Sequence, residues 1–220
     1  TGYKNTIFVV IAGTAYNVLM SAICAFILSR RNFYWKKLIM VMIIITMFFG
    51  GGMIPRYLLV RQLGLINSLW ALIIPEAIST WNMFIMRTFF MSIPDSLEES
   101  AKMDGATEIS ILIRIILPLS LPVIAVMILY YGVGHWNSWF DAIMYIRRRE
   151  LYPLQLVLRE ILLINSTDNM MLNMDATEKD FISETIRYAT IMVATLPILC
   201  AYPFLQKYFV KGMMIGALKG

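Results

Sequence analysis

The sequence predicts an all-α integral membrane protein with five transmembrane helices, and three observations carry that reading. Of its 220 residues, 59% are hydrophobic and only 15% charged, at a mean hydropathy of +0.70. Soluble domains are roughly half apolar and a quarter charged. The apolar residues gather into five runs near the ~20 residues a helix needs to cross a hydrocarbon core. Between the third and fourth runs lies a polar stretch, "EESAKMDGATEISILIRIILP" at 98–118, with helix-capping residues that an ordinary connecting loop does not need. The net charge of +5 suits basic residues at a negatively charged membrane face. No aromatic-basic pattern points to nucleic acid.

The first run covers about 7–28. Within it Gly13, Asn17, Ser21 and Ala25 recur every four residues, a small and polar stripe that lets helices approach closely and lets Asn17 hydrogen-bond across. The loop "SRRNFYWKK" follows, and the second run covers about 38–53. The third covers about 69–90, with Pro75 near its start; Glu76, Thr80, Met83 and Arg87 share one face if it is a single helix. On that reading Glu76 and Arg87 lie ~16 Å apart at 1.5 Å per residue, so they are not partners. They either snorkel toward opposite interfaces or face a bundle interior or aqueous cavity. The fourth run covers about 119–136. The fifth covers about 186–208 and contains Pro197 and Pro203, which membrane helices tolerate when neighbours satisfy the freed backbone groups. Cys24 and Cys200 sit inside apolar runs without ligand-like neighbours and read as packing residues.

Orientation rests on Lys and Arg in short loops. Arg30, Arg31, Lys36 and Lys37 crowd the first loop, which places it in the cytoplasm. Alternation then puts 54–68 and 137–185 outside, and 92–118 and the C-terminal tail inside. The total does not decide, with ten Lys/Arg inside and nine outside; the short basic loop does.

The 92–118 segment predicts two short helices. Ser92 and Asp95 form a capping box with Pro94 in the first turn, and Gly105 ends the first helix in a left-handed conformation. Thr107 caps a second helix carrying Ile109, Leu112, Ile113 and Ile116 on its buried side, and Pro118 breaks it. The first helix exposes Glu98, Glu99 and Lys102, and the whole suits a rigid knob docked in a partner's groove. Further on, "HWNSWFDAIMYIRRRELYP" admits two readings. Trp136, Trp139 and Tyr145 suit an interfacial aromatic belt. His135, Asn137, Trp139 and Asp141 equally suit a polar path for sugars, which need stacking faces and hydrogen-bonding partners. His135 is the sole histidine and makes no metal site alone. The 147–187 segment opens on the apolar "LQLVLREILLI" and reads as an amphipathic helix and loop.

Glu99-Ser100-Ala101, three residues, Gly105, nine residues and Ile115-x-Leu117-Pro118 resemble the EAA motif of binding-protein-dependent ABC importer permeases. Ser100 replaces the usual middle alanine, a small-for-small change. Asp104, Ala106, "SRRNFYWKK", "LGLINSLWALIIP" at 63–75 and the "MIGALKG" ending also resemble the carbohydrate uptake group of that family. The resemblance spans nearly the whole chain. It implies a type I ABC importer permease fold, a sixth helix upstream of Thr1, and a cytoplasmic coupling helix. Glu98, Glu99, Ser100, Ala101, Asp104, Gly105, Ala106, Leu117 and Pro118 would dock a separate ATPase. The implied partners are a second homologous permease subunit, two ATPase subunits and an extracellular or periplasmic solute-binding protein, in the lipid of a bacterial plasma (inner) membrane. ATP and Mg would bind the ATPases, with no cofactor on this chain. Glu76, Thr80, Asn137, Trp139 and Asp141 are the candidates for the translocation path. Alternatives are a peptide or amino-acid permease and an uncoupled channel or scaffold, which would need no docking knob. An intramembrane enzyme finds no support: H-E-x-x-H, G-x-x-x-x-G-K-[ST] and a Cys cluster are all absent from the sequence. Arg147, Arg148 and Arg149 would favour an acidic oligosaccharide by electrostatic focusing, or grip the binding protein or lipid head groups.

Overall fold

The computed structural model describes residues 1–30, 33–171, 184–200 and 203. These are helical, with no strand among the described residues. Helix α1 (Gly2–Ser29) runs unbroken for 28 residues, ~42 Å at 1.5 Å per residue. It packs on α8 (Leu121–Trp136), α4 (Thr80–Met91) and α10 (Leu154–Met171). The stripe foreseen on α1 is the face that does this: Gly13, Asn17, Ser21 and Ala25 are all buried, while Ile7, Ile11, Leu19 and Ile27 point outward.

The third apolar run is broken where a single helix was expected, and two further sharp bends fall at the edges of the second and fourth runs. The second run (38–53) is α2 (Lys36–Phe48) and the break after it, and the segment 54–68, read as an outer loop, holds a further helix, α3 (Met53–Gln62), bent by 115° from α2. Gly50, Gly51 and Gly52 separate them, Gly52 at φ +84°, a conformation that favours glycine. The third run is a 3-10 segment (Leu69–Leu72 and Ile74–Glu76) followed by α4 at a 51° bend. Pro75 supplies no N–H there, and Ser79 starts α4 afresh by accepting from Asn82 N. The shared face of Glu76, Thr80, Met83 and Arg87 therefore does not exist: Glu76 precedes the break, and Arg87 donates to the Leu28 carbonyl at 3.0 Å. The fourth run is the unbroken helix α8, and the chain bends by 85° as it enters it, at Ser120 between Pro118 and Pro122. The break expected at Pro118 before the fourth run thus falls two residues later. The chain passes through α6 (Glu108–Ile111), a π-helical turn (Leu112–Ile116) and α7 (Leu117–Leu119) before breaking. Ile109 and Ile113 are 70% and 57% exposed, and the buried side is Ile111, Leu112 and Ile116, because the π turn rotates the register.

Among the described residues α1 alone is long and apolar enough to cross a membrane unaided; each of the three bent pairs adds a crossing if it is one broken span. The fifth run is helical over 184–200, and its remainder lies largely outside the described residues, as does the "MIGALKG" ending.

Two main cores sit along α1. Ala22, Ala25, Phe26 and Leu28 meet Met83, Met86, Phe90, Ile111 and Ile116 near its C-terminal end. Val9 meets the cluster of Leu72, Ile73, Tyr145, Ile146 and Leu156 near its N-terminal end. Leu154 and Leu158 lie on one side of α10 against Trp136, and Leu156 on the other enters the cluster of Val9 and Tyr145, so α10 is buried on two sides and not on the one face expected of an amphipathic surface helix. Asn67, at φ +60°, pins the loop after α3 to the segment after α9 (Trp139–Tyr145). Its N–H donates to Tyr145 O at 2.9 Å, and its Oδ1 accepts from Arg147 N at 2.7 Å.

A Cβ at Gly13 would lie 2.5 Å from His135 Nε2 and 2.8 Å from two further ring atoms. The ring cannot simply swing away without losing its bond to Asn17. Gly13→Ala should therefore lower stability by ~1–3 kcal/mol, the usual scale of overpacking, seen as a fall in the Tm of the detergent-solubilised complex. In a His135→Ala background the same substitution should cost nothing measurable.

Candidate functional site

At the end of α1 marked by Ser29, helix α5 (Asp95–Met103) starts directly after Pro94. The expected Ser92–Asp95 capping box is not formed: Ser92 closes α4 instead, its Oγ donating to Phe89 O at 2.7 Å. Pro94 needs no side-chain cap because it preorganises the chain entering α5. The C-terminal end is as foreseen. Gly105 sits at φ +79°, its N–H donates to Lys102 O at 3.0 Å, and Ala106 N–H donates to Ala101 O at 2.9 Å, the two bonds of a Schellman motif. Thr107 then caps α6, accepting from Ser110 N at 3.3 Å. A Cβ at Gly105 would meet nothing among the described residues within 4 Å, so the turn faces open space there.

Glu99, Ser100 and Asp104 are exposed, while Ala101, Ala106 and Leu117 pack on the hydrophobic core. Pro118 is exposed on α7. Glu98 departs from expectation. It is buried because Arg30 forms an ion pair with it, and Lys102 Nζ lies 2.9 Å from its other oxygen and 2.8 Å from Glu108. The basic residues after the first span are therefore not only membrane anchors: Arg30 fastens α5 to the end of α1. Burial pulls the Arg30 guanidinium below its ordinary pKa, opposed by the carboxylates of Glu108 and Asp95. Beside this junction opens a cavity of about 530 Å³, walled by Phe26, Arg30, Phe90, Asp95 and Glu99 among others.

A second cavity, of about 580 Å³, lies at the break before α4. The break leaves backbone groups free, and neighbouring helices satisfy them. Asn17 on α1 donates its Nδ2 to Glu76 O, and Tyr131 on α8 accepts from Ser79 N at 3.1 Å. Asn17 Oδ1 also pairs with His135 Nε2 at 2.6 Å, and the Tyr131 hydroxyl shares a 2.6 Å bond with Ser21. Arg56, Glu76, Asn82 and Tyr130 complete the polar wall. Arg56 on α3 reaches Glu76 at 2.8 Å and Asp141 at 3.5 Å. Burial, and then Glu76, raise the Asp141 carboxyl above its ordinary range against the pull of Arg56.

Of the five path candidates, Glu76 lines this cavity and Asp141 joins it through Arg56. Thr80 begins α4 beside it. Asn137 closes α8, its Nδ2 donating to Val133 O at 3.0 Å. Trp139 lies under the Arg159 guanidinium, 4.3 Å from its ring centroid. The structure brings Asn137 and Trp139 to neither cavity wall. The aromatic belt does not form as a set, because Trp136 and Tyr145 are buried against protein and only Trp139 stands at the surface. Sequence reading missed Arg56, Ser79, Asn82, Tyr130 and Tyr131 as lining residues. The available signal was Pro75 followed by Ser79, a helix restart inside an apolar run. No group of three metal-ligating side chains occurs among the described residues.

The family model described as binding-protein-dependent transport system inner membrane component matches residues 17–215. The polygalacturonan/rhamnogalacturonan transport system permease protein YtcP of Bacillus subtilis (strain 168) is 43% identical over 98% of this chain and 75% of its own length. Protein LplC of the same organism is 45% identical over 98% of this chain and 72% of its own. A crystal structure of a bacterial ABC transporter involved in the import of the acidic polysaccharide alginate superposes with a TM-score of 0.83 at 32% identity, covering 94% of this chain and 74% of that one. YtcP and the alginate transporter are by name transport components, not enzymes. The chain belongs to the family of binding-protein-dependent transport system inner membrane components and has the type I ABC importer permease fold.

Proposed function

We propose that this chain is one permease subunit of an ATP-driven, binding-protein-dependent importer that moves oligosaccharides across a bacterial plasma membrane by alternating access. The carrying observation is α5, a short helix fixed at its C-terminal end by a Schellman turn and tied to α1 through Arg30–Glu98, within a chain whose relatives include transport system permeases. In this reading α5 is the coupling helix. Glu99, Ser100, Asp104 and Gly105 meet a groove of a separate ATPase, which binds ATP and Mg, while Glu98, Ala101, Ala106 and Leu117 hold the helix to its own subunit. A second homologous permease and a second ATPase complete the membrane assembly, and a solute-binding protein delivers sugar from outside. ATP-driven approach of the two ATPases moves both coupling helices, and a stiff attachment transmits that movement where a loose loop would absorb it. The cavity at the break before α4, with Glu76 and Asp141 joined through Arg56, lies on the sugar path; Thr80, Asn137 and Trp139 flank it toward the outside. YtcP and the alginate transporter carry acidic polysaccharides in their names, which supports a substrate containing uronate units.

Gly105 tests the docking. With no described residue within 4 Å of a Cβ there, a side chain costs only ~1–2 kcal/mol of left-handed strain. Gly105→Leu should insert normally, yet uncouple ATPase activity from uptake by obstructing the groove. Gly105→Asn, which tolerates the left-handed region, should lose less. Wild-type uptake by Gly105→Leu at normal expression would refute the docking.

The topology is tested by labelling. In a background lacking Cys24 and Cys200, a cysteine at Ser96 should resist an impermeant thiol reagent applied to intact cells, and one at Arg148 should react. The reverse pattern contradicts the orientation.

A further inference from the structure

Helix α3 is built inside out for a helix in water. Its inward face carries polar groups. Arg56 reaches Glu76 at 2.8 Å and Asp141 at 3.5 Å, the Tyr57 hydroxyl accepts from Arg147 at 3.1 Å, and Val60 on the same face is fully buried. Its outward side carries Ile54, Leu58 and Leu59, which are 69%, 47% and 54% exposed. Positions 54 and 58 stand one turn apart on the same side. A helix that faces water shows the opposite arrangement, with its charged residues outward and its leucines against the core.

The helix before it fixes where α3 sits. α2 has 13 residues, ~20 Å at 1.5 Å per residue. The link Phe49–Gly52 adds at most ~14 Å when extended. Together they span the ~30 Å of a hydrocarbon core, so α3 begins where that core ends. α2 starts beside the α5 end of α1, where Lys36 Nζ donates to the Ser29 and Arg30 carbonyls at 3.5 and 3.2 Å. α3 therefore lies at the opposite boundary. There the axis turns by 115°, nearer to a right angle than to a continuation or a return, which lays α3 along the boundary. The apolar surface is continuous across the turn. No residue of α2 is buried, and its exposed Ile45, Phe48 and then Phe49 lead toward Ile54 and Leu58. In a chain of an inner-membrane family, that continuity extends the bilayer-facing surface of α2 onto α3. Arg61, exposed near the C-terminal end of α3, has a stem that can lie over apolar surface while its guanidinium reaches a lipid phosphate.

We propose that α3 is an interfacial helix, with Ile54, Leu58 and Leu59 seated in phospholipid at the boundary opposite α5 and Arg61 on the head groups, so that the bilayer itself holds Arg56 against the cavity before α4. The proposal is independent of which solute the transporter carries.

The test uses the complete transporter in nanodiscs of phosphatidylethanolamine and phosphatidylglycerol, in a background lacking Cys24 and Cys200. A fluorescent label is placed on a cysteine at Leu58 or, separately, at Ile54, with Arg148, also exposed, as the control. Interfacial helices sit ~5–10 Å into the head-group and acyl boundary. A lipid carrying a quencher near its head group should therefore outdo aqueous iodide severalfold at positions 54 and 58, with the reverse order at 148. Iodide matching or exceeding the lipid at both sites overturns the proposal, because the face is then in water. Quenching by neither also overturns it, because another protein chain then covers the face. A second measurement tests the hold on Arg56. Spin labels at Leu59 on α3 and Trp81 on α4, both exposed, should report one narrow distance. Leu58→Glu, in complexes that still assemble with the ATPases, should lengthen or broaden it by several ångströms, and Leu58→Phe, which stays apolar, should do so far less. An unchanged distance in Leu58→Glu overturns the claim that lipid holds α3 at the cavity.

Discussion

A helix broken inside an apolar bundle exposes backbone groups that lipid cannot satisfy, and the way this chain closes one such break organises much of the rest. Pro75 and Ser79 interrupt the third apolar run. The Glu76 carbonyl is then taken by Asn17, and the Ser79 amide by Tyr131. Both side chains need close helix approach. Gly13 supplies it by admitting His135, whose ring in turn fixes Asn17. The small and polar stripe of α1 is therefore the template on which α4 and α8 are set, and the cavity is the space left at the bend.

The same helix reaches both functional ends. Near Gly2, Asn5 Nδ2 donates to Glu150 O at 2.8 Å and to Tyr152 O at 3.2 Å, and Thr6 Oγ1 accepts from Leu154 N at 2.7 Å. Near Ser29, Arg30 holds Glu98 and the Leu28 carbonyl accepts from Arg87. Each contact is modest, on the order of 1 kcal/mol for an ordinary hydrogen bond, but all of them fix elements to one continuous helix. Under the proposed function α1 is the rod that connects movement of α5 to the walls of the cavity.

Much of this was legible in the sequence, for reasons that differ by residue. The α1 stripe was readable because a four-residue spacing has one meaning on a helix. Gly105 and Thr107 were readable because a left-handed cap and a side-chain cap each demand particular residue types. The path was legible only in part. Glu76 and Asp141 stood out as acids near apolar runs, but Arg56, which joins them, comes from a segment read as an outer loop. Asn82 was hidden because the break before α4 was read as continuous helix, and the register of its face was misassigned with it. Glu98 was read as solvent-exposed because its partner, Arg30, lies 68 positions earlier in the chain, beyond the reach of local pattern. The exposure of Ile109 and Ile113 depends on a π turn, which no periodicity of 3.6 anticipates.

The central claim is that α5 and α1 move as one body. Spin labels at Ser96 on α5 and Leu19 on α1, both exposed, report on it through their distance distribution in the assembled transporter. The account predicts the same distribution in the nucleotide-free and ATP-trapped states, while the distance between the two subunits' α5-equivalent helices shortens. A change of several ångströms between positions 96 and 19 on trapping ATP would contradict it, because the coupling segment would then be hinged at Arg30 and not carried by α1.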